Sequence, residues 1–147
     1  MVSATTLLNR PGAELSKLDG VHALTDVTGF GLLGHSLELA RGAQLTAHLN
    51  AKDLPVLPGV LELAEQGIFT GASGRNWASY GDAVRLAQHI TDTQRALLTD
   101  PQTSGGLLVS CSPETVEQVL AVFRNSGFAE AAIVGHMQAG PAEVHVA

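Results

Sequence analysis

The residues best suited to chemistry in this sequence lie between positions 25 and 35, which read TDVTGFGLLGH. Gly29, Gly31 and Gly34 form the spacing G-x-G-x-x-G, which binds dinucleotides when it joins a β-strand to a helix. Asp53 follows roughly 20 residues later, where such a site needs an acidic side chain for the ribose. A nicotinamide-binding site is therefore one interpretation of this spacing.

Two further interpretations use the same stretch. In the first, Asp26 and Thr28 cap the helix that follows, and the glycines permit positive φ angles and close packing. In the second, Asp26 is a hard oxygen ligand for Mg²⁺, and the glycine turn offers backbone N–H groups to phosphate oxygens. A carboxylate repels phosphates unless a cation lies between them, so Asp26 argues against the dinucleotide site. One carboxylate does not hold a magnesium ion, and the remaining ligands must come from elsewhere.

Two downstream segments add polar and glycine residues that suit a binding site. Residues 100–106, DPQTSGG, are predicted to form a turn whose glycines permit a close approach to a ligand or to a neighbouring strand. Residues 74–81, GRNWASYG, contain the single Trp and the single Tyr of the chain. The candidate side chains of this segment are Arg75, Asn76, Trp77 and Tyr80, which either contact a ligand or a partner surface or anchor a packed loop.

The histidines and the cysteine do not form a recognisable metal or nucleophile pattern. The six histidines show no H-x-x-x-H or H-x-H spacing with carboxylates, so we do not expect a zinc site. His35 directly follows Gly34, and we expect it to make a capping or core hydrogen bond. Cys111 ends an apolar segment and is predicted to be a small buried residue rather than a nucleophile.

The elements that must position these residues follow from hydrophobic periodicity and from helix and turn signals. We expect strands at residues 21–27, 43–50 and 107–111, and helices at 2–10, 11–20, 32–41, 60–66, 91–98 and 113–125. Gly42, Gly67 and Gly127 are predicted to end three of these helices.

Other segments carry weaker signals. Residues 67–81 contain four glycines and no clear period, so they are predicted to form a long surface or binding loop. Residues 82–89 fit either a strand or a helix. Residues 131–137 and 142–147 are predicted to pair as a β-hairpin. Strands and helices mix without regular alternation, which predicts an α+β domain with a four- to six-stranded, largely antiparallel sheet.

Composition and charge exclude several classes of protein. The 147 residues are 45% hydrophobic and 15% charged, which is typical of a globular domain with a real core. A net charge of -6 disfavours a nucleic-acid partner, because phosphate backbones require basic patches. No apolar run approaches the ~20 residues that span a bilayer, and the first residues lack a signal-peptide pattern. With a single cysteine, the sequence indicates a cytoplasmic protein without a membrane partner.

The segments HALTDVTGFGLLGH and DPQTSGGLL, with GRNWASYG between them, resemble the C-terminal half of selenophosphate synthetase (selenide, water dikinase). The resemblance extends from about Asn9 to Val146. The wider superfamily includes aminoimidazole ribonucleotide synthetase and a hydrogenase maturation protein. The resemblance implies that residues 1–147 form one three-layer α+β domain, similar to the C-terminal domain of aminoimidazole ribonucleotide synthetase and partly ferredoxin-like. It also implies that the ATP-binding N-terminal domain is absent from this sequence.

The resemblance carries functional expectations for the full enzyme, which converts selenide, ATP and water to selenophosphate, AMP and phosphate. Selenophosphate then serves selenocysteine and selenouridine synthesis. The aspartate of the T-D-x-T-G-F-G motif joins carboxylates of the N-terminal domain around Mg²⁺, and that role transfers to Asp26. Thr28, Gly29 and Gly31 are its expected neighbours near the ATP phosphates.

The same resemblance limits what this chain does by itself. The reactive residue and its companion lysine belong to the N-terminal domain of the family, so no catalytic residue is assigned here. Cys111 and Lys17 do not occupy those motif positions. We expect Mg²⁺ and ATP to bind only with the N-terminal domain, which also forms most of the family's homodimer contact. The isolated chain is therefore expected to be inactive. The alternatives are a non-catalytic interaction module and a hydrogenase-maturation or purine-synthesis relative.

Overall fold

The computed structural model describes residues 5–147 and shows the α+β fold that the sequence predicts. The described helices are α1 Pro11–Leu15, α2 Gly31–Ala43, α3 Val60–Glu65, α4 Gly71–Tyr80, α5 Asp92–Leu98 and α6 Val116–Asn125. The described strands are β1 Val21–Asp26, β2 Leu45–Leu49, β3 Val84–Leu86, β4 Leu107–Cys111, β5 Gly135–Ala139 and β6 Val144–Val146. Short 3-10 turns occur at Ala51–Asp53, Gly81–Ala83 and Pro113–Thr115. The helix predicted over 2–10 begins outside the described part, and within the described part residues 6–10 are not helical.

The strands form two separate sheets rather than the single, largely antiparallel sheet that was predicted. β1 and β4 form an antiparallel pair in which Asp26 lies opposite Leu107. The other four strands are ordered β3-β6-β2-β5, and β6 runs parallel to both β2 and β3. The prediction was wrong because pairing partners lie far apart in the chain, and local periodicity carries no information about them.

The predicted hairpin at the end of the chain is also wrong. β5 and β6 exist, but they pair with opposite edges of β2, so that Leu49 lies between Gly135 and Val146. The connection crosses the end of β2, where Thr46 Oγ1 donates to Pro141 O at 2.6 Å and Ala47 N–H donates to Glu143 O at 2.9 Å. These bonds tie the linker to β2, and within the linker Glu143 N–H also donates to Pro141 O at 2.8 Å.

The segment 67–81 contains a helix where a loop was predicted. Helix α4 buries Ser73, Asn76 and Tyr80, which are spaced three and four residues apart and therefore share one face. Since two of these three side chains are polar, hydrophobic periodicity does not reveal the buried face. The unassigned segment 82–89 contains the short strand β3.

Two of the three glycines that were predicted to end helices do so. Gly67 and Gly127 adopt positive φ angles of 78° and 90° directly after helical segments, as predicted. Gly42 does not end α2, because the helix continues to Ala43 and Gln44 adopts the left-handed conformation with φ 55°. The predicted helix 113–125 begins as a 3-10 turn and becomes α-helical at Val116.

Two hydrophobic clusters stabilise the two sheets. Helix α2 packs on the four-stranded sheet, and the buried members of this cluster are Leu33, Leu37, Ala40, Ala47, Leu49, Tyr80, Val84, Leu98, Val144 and Val146. Helices α1 and α6 form the second cluster around Leu15, Val119, Val122 and Phe123, against β1 and β4. The turn between β1 and α2 thus joins the two packed units. Among residues 5–147, no helix is both long and apolar enough to cross a membrane.

Candidate functional site

Asp26, the last residue of β1, is exposed to solvent. Its side chain is exposed, and its carboxylate makes no hydrogen bond or ion pair with the part of the chain that the structure describes. Residues 27–30 then form a turn, and α2 begins at Gly31. An unpaired exposed carboxylate beside a helix N-terminus is available to a cation that also contacts an anion bound there.

The DPQTSGG segment packs directly against this turn. Val27 N–H donates to Gly106 O at 2.9 Å, and Gln102 N–H donates to Thr28 O at 3.0 Å. A Cβ atom on Gly105 would lie only 1.7 Å from Val27 O. The two motifs that stand about seventy residues apart in sequence therefore form one interlocked pair of loops.

Helix α4 holds the same turn from a third direction. Asn76 Nδ2 donates to Gly29 O at 2.9 Å and to Thr99 O at 2.9 Å. The Tyr80 hydroxyl donates to Phe30 O at 2.6 Å. Burial raises the pKa of Tyr80 to about 12, so the hydroxyl remains a donor at physiological pH. Of the two roles expected for segment 74–81, the structure shows the anchoring one, through Asn76 and Tyr80.

The carbonyl groups of residues 28–30 accept hydrogen bonds, whereas the N–H groups of the same residues have no partner within residues 5–147. Within residues 5–147, no hydrogen bond uses the N–H groups of Thr28, Gly29 or Phe30. Three successive free donors at the start of the 13-residue helix α2 suit an anion such as phosphate. Asp26 lies two residues before Thr28, so a carboxylate that suits a cation and N–H groups that suit an anion occur together.

The two glycines predicted to lie near phosphate have different structural roles. Gly31 is buried and has φ +68°, and a Cβ atom there would lie 2.7 Å from the carbonyl carbon of Thr99. Its small size therefore permits packing between the two motif loops. Gly29 is exposed, and a Cβ atom there would meet nothing within 4 Å. Gly29, rather than Gly31, leaves the turn accessible to a ligand.

His35 supports the turn from inside α2, and the predicted hydrogen-bonding role is confirmed. The imidazole is 6% exposed, and its Nε2 lies 3.2 Å from Thr28 Oγ1. Its Nδ1 lies 2.8 Å from Glu38 Oε2. The ring thus links the side chain of Thr28 to the body of the helix.

The topology excludes the dinucleotide interpretation. β1 belongs to an antiparallel pair with β4, whereas a dinucleotide-binding unit requires a parallel sheet built from βαβ units. Asp53 follows β2, which lies in the other sheet, and it accepts a hydrogen bond from Asn50 Nδ2.

The described residues do not form a metal centre by themselves. Among them, no group of three or more His, Cys, Asp or Glu side chains is placed to hold a metal ion. Mg²⁺ prefers about six oxygen ligands, including waters and phosphate oxygens, so the Asp26 carboxylate would not be sufficient to hold it. The fold and this candidate site define an α+β domain that presents one exposed carboxylate beside a glycine-containing turn.

The chain belongs to the family of AIR synthase related proteins, C-terminal domain, whose model matches residues 4–147. It is 73% identical over 146 residues to a selenide, water dikinase of Pseudomonas straminea, covering 99% of this chain and 41% of that protein. It is 65% identical over 146 residues to the selenide, water dikinase of Paraburkholderia xenovorans (strain LB400), again covering 41% of that protein. The chain thus spans about two-fifths of the length of these relatives.

Solved structures with low sequence identity share the fold. E. coli HypE, a hydrogenase maturation protein, aligns with a TM-score of 0.68 at 20% identity, over 98% of this chain and 36% of that one. Thiamine-monophosphate kinase from Stenotrophomonas maltophilia K279a aligns with a TM-score of 0.56 at 19% identity, over 86% of this chain and 31% of that one. Another HypE structure, solved in complex with ATP, aligns with a TM-score of 0.59 at 21% identity, over 95% of this chain and 36% of that one.

Proposed function

We propose that this chain is the C-terminal domain of a selenide, water dikinase and supplies half of its magnesium and phosphate site. The proposal rests on the exposed carboxylate of Asp26, which lies beside the N–H groups of residues 28–30; neither the carboxylate nor these groups have a partner within residues 5–147. High identity to named selenide, water dikinases over nearly the whole chain supports the choice of enzyme. The ATP complex of a HypE structure supports a nucleotide as the phosphate source.

In this proposal, the chain binds and orients phosphate groups rather than attacking them. Mg²⁺, when bound, neutralises phosphate charge, which is a large part of phosphoryl-transfer catalysis. Asp26 presents one oxygen ligand to it, and carboxylates of the N-terminal domain provide the others. The N–H groups of Thr28, Gly29 and Phe30 donate to phosphate oxygens, and Gly31 permits the close loop packing that places them.

The complete enzyme then converts selenide, ATP and water to selenophosphate, AMP and phosphate in the cytoplasm. Its partners are the N-terminal domain, the two small substrates and a second copy in a homodimer. The isolated 147-residue chain is inactive, because the site needs ligands and a reactive residue that this chain does not provide.

The test is an Asp26→Asn substitution in the full-length enzyme. It keeps the side chain's shape but weakens the metal ligand, so turnover should fall by on the order of 100-fold or more. Asp19→Asn is the matched control, since Asp19 is exposed and precedes β1. Normal turnover in the Asp26→Asn enzyme, with Mg²⁺ near its half-saturating concentration, would remove Asp26 from the site.

A second candidate function rests on an exposed apolar patch. The segment 56–69 exposes six large hydrophobic side chains, namely Val56, Leu57, Leu61, Leu63, Ile68 and Phe69. Large exposed apolar patches mark protein interaction sites, and these exposed side chains lie close together in sequence. In this alternative the chain is a non-catalytic module that binds a protein partner through the patch.

Two variants, one double and one single, separate the two functions. For the interaction module, Leu61→Ser with Ile68→Ser should abolish binding of the partner domain, while Asp26→Asn should leave activity unchanged. For the enzyme domain, Asp26→Asn should inactivate the full-length protein while its assembly, measured by size-exclusion chromatography with light scattering, stays intact.

A further inference from the structure

Helix α4 contacts the turn before α2 through two buried side chains four residues apart. Asn76 and Tyr80 are each 9% exposed, and they donate to the carbonyl oxygens of Gly29 and Phe30 respectively. Since residues i and i+4 of a helix lie on one face, a single surface of α4 fixes two successive peptide groups. Both side chains are about nine-tenths buried and are bonded to the turn's carbonyls, so they act through the turn and not directly on a ligand.

We propose that Asn76 is the positioning residue that orients the Phe30 N–H as a phosphate donor. This inference rests on the proposed function. A peptide unit is planar and trans, so the carbonyl of Gly29 and the N–H of Phe30 point in opposite directions. Because Asn76 holds Gly29 O toward the protein interior, the Phe30 N–H of the same peptide faces away from α4.

Other contacts do not fix this peptide. Gly29 has no side chain, and a Cβ atom there would meet nothing within 4 Å, so packing does not restrict its φ and ψ angles. The peptides on either side have their own anchors, because Thr28 O accepts from Gln102 N–H at 3.0 Å and Phe30 O accepts from Tyr80. Among the described residues, Asn76 is the hydrogen-bond partner of Gly29 O.

The second bond of Asn76 ties this orientation to the other motif. The same Nδ2 group donates to Thr99 O, so both of its protons are used. Ser73 fixes Thr99 independently, with Ser73 Oγ 2.6 Å from Thr99 Oγ1. The end of α5 is therefore held in place, and the Asn76 amide fixes the Gly29 carbonyl relative to it.

The test compares ligands with and without phosphates in the full-length enzyme. Asn76→Asp keeps the side chain's shape but places a carboxylate against two carbonyl oxygens, and Asn76→Ala removes the donors without adding charge. Both variants should bind ATP in the presence of Mg²⁺ on the order of 10-fold more weakly, since one lost hydrogen bond to a charged group corresponds to about that factor. Adenosine, which lacks phosphates, should bind as it does to the wild-type enzyme.

The comparison separates positioning from general damage. A merely structural role would weaken ATP and adenosine binding by the same factor, and that outcome overturns the inference, as does unchanged ATP binding in both variants. Asn125→Asp is the matched control, because Asn125 is exposed at the end of α6 and receives the same charge change. If Asp26→Asn inactivates the enzyme while Asn76→Ala binds ATP normally, the proposed function stands and this inference fails.

Discussion

The imidazole of His48 stacks on the imidazole of His136, with ring centroids 4.9 Å apart and ring planes within 5° of parallel. His145 meets His48 edge-on, with its centroid also 4.9 Å away. Strand register produces this row, because His48 on β2 lies opposite His136 on β5 and His145 on β6. Three histidines that are scattered in sequence thus form one cross-strand cluster on the four-stranded sheet.

This cluster makes stability depend on pH. Burial, and secondly the nearby His136 and His145, lower the pKa of His48 below its ordinary value of 6.5. The folded chain therefore releases this proton more readily than the unfolded chain, and the stabilisation is fully present above pH 6.5. It is lost as pH falls through the lowered pKa. We expect the urea midpoint of the 147-residue chain to decrease when pH is lowered from about 8 to about 5.

Substitutions test whether His48 is responsible. Glu143 faces the cluster, with its Oε2 3.2 Å from His145 Nε2, and it pairs with Arg85 at 2.8 Å; both residues are unchanged in the variants compared. His48→Gln should reduce the pH dependence, whereas His89→Gln, at an exposed position, should leave it unchanged. An equal pH dependence in wild-type and His48→Gln chains would contradict the assignment.

The close approach of Gly105 to Val27 predicts a large difference between two neighbouring glycines. Gly105→Ala forces a methyl group against Val27 O and should destabilise the chain by about 1–3 kcal/mol or more, the usual cost of overpacking. A Cβ atom on Gly106 would meet nothing within 4 Å, so Gly106→Ala should change stability by no more than about 0.5 kcal/mol. Urea unfolding of the two variants measures both values, and similar losses would refute the interlocked-loop geometry.

Cys111 should react slowly with thiol reagents while the chain is folded. The residue is partly exposed at the end of β4, rather than fully buried as its sequence context predicted, and burial raises the pKa of its thiol. Because the thiolate is the reactive form, alkylation by iodoacetamide at mildly alkaline pH should be several-fold slower in the folded chain than in concentrated urea. Intact-mass analysis reports this residue alone, since it is the single cysteine of the chain. Equal rates in the two conditions would contradict the expectation.

Sequence patterns predicted the elements whose burial is hydrophobic and periodic. Helix α2 and strands β1, β2 and β4 occur within a few residues of their predicted bounds. The failure at α4 has a physical cause, since this helix buries Ser73 and Asn76, which satisfy backbone carbonyls instead of filling an apolar core. A polar buried face gives no hydrophobic period, so the helix resembles a loop in sequence.

Some features of the candidate site can be predicted from the sequence, and others cannot. Asp26 and the glycine turn are visible in sequence because residue type alone indicates their chemistry. The contribution of Asn76 is not visible, because it depends on the distance of its amide from Gly29 and Thr99, which are 47 and 23 residues away. The sheet order and the histidine cluster also depend on residues far apart in the chain, so local sequence patterns do not predict them.

Among the described strands, β3 pairs only with β6, which lies between it and β2. Because a ribosome makes the chain from its N-terminus, β2 and β3 leave the exit tunnel long before their common partner has been synthesised. The four-stranded sheet must then assemble after residues 144–146 emerge, from segments separated by about a hundred positions. Closing such distant pairs is slow, so the nascent chain exposes two unpaired apolar strands during much of its synthesis, when a holding chaperone would be of most use.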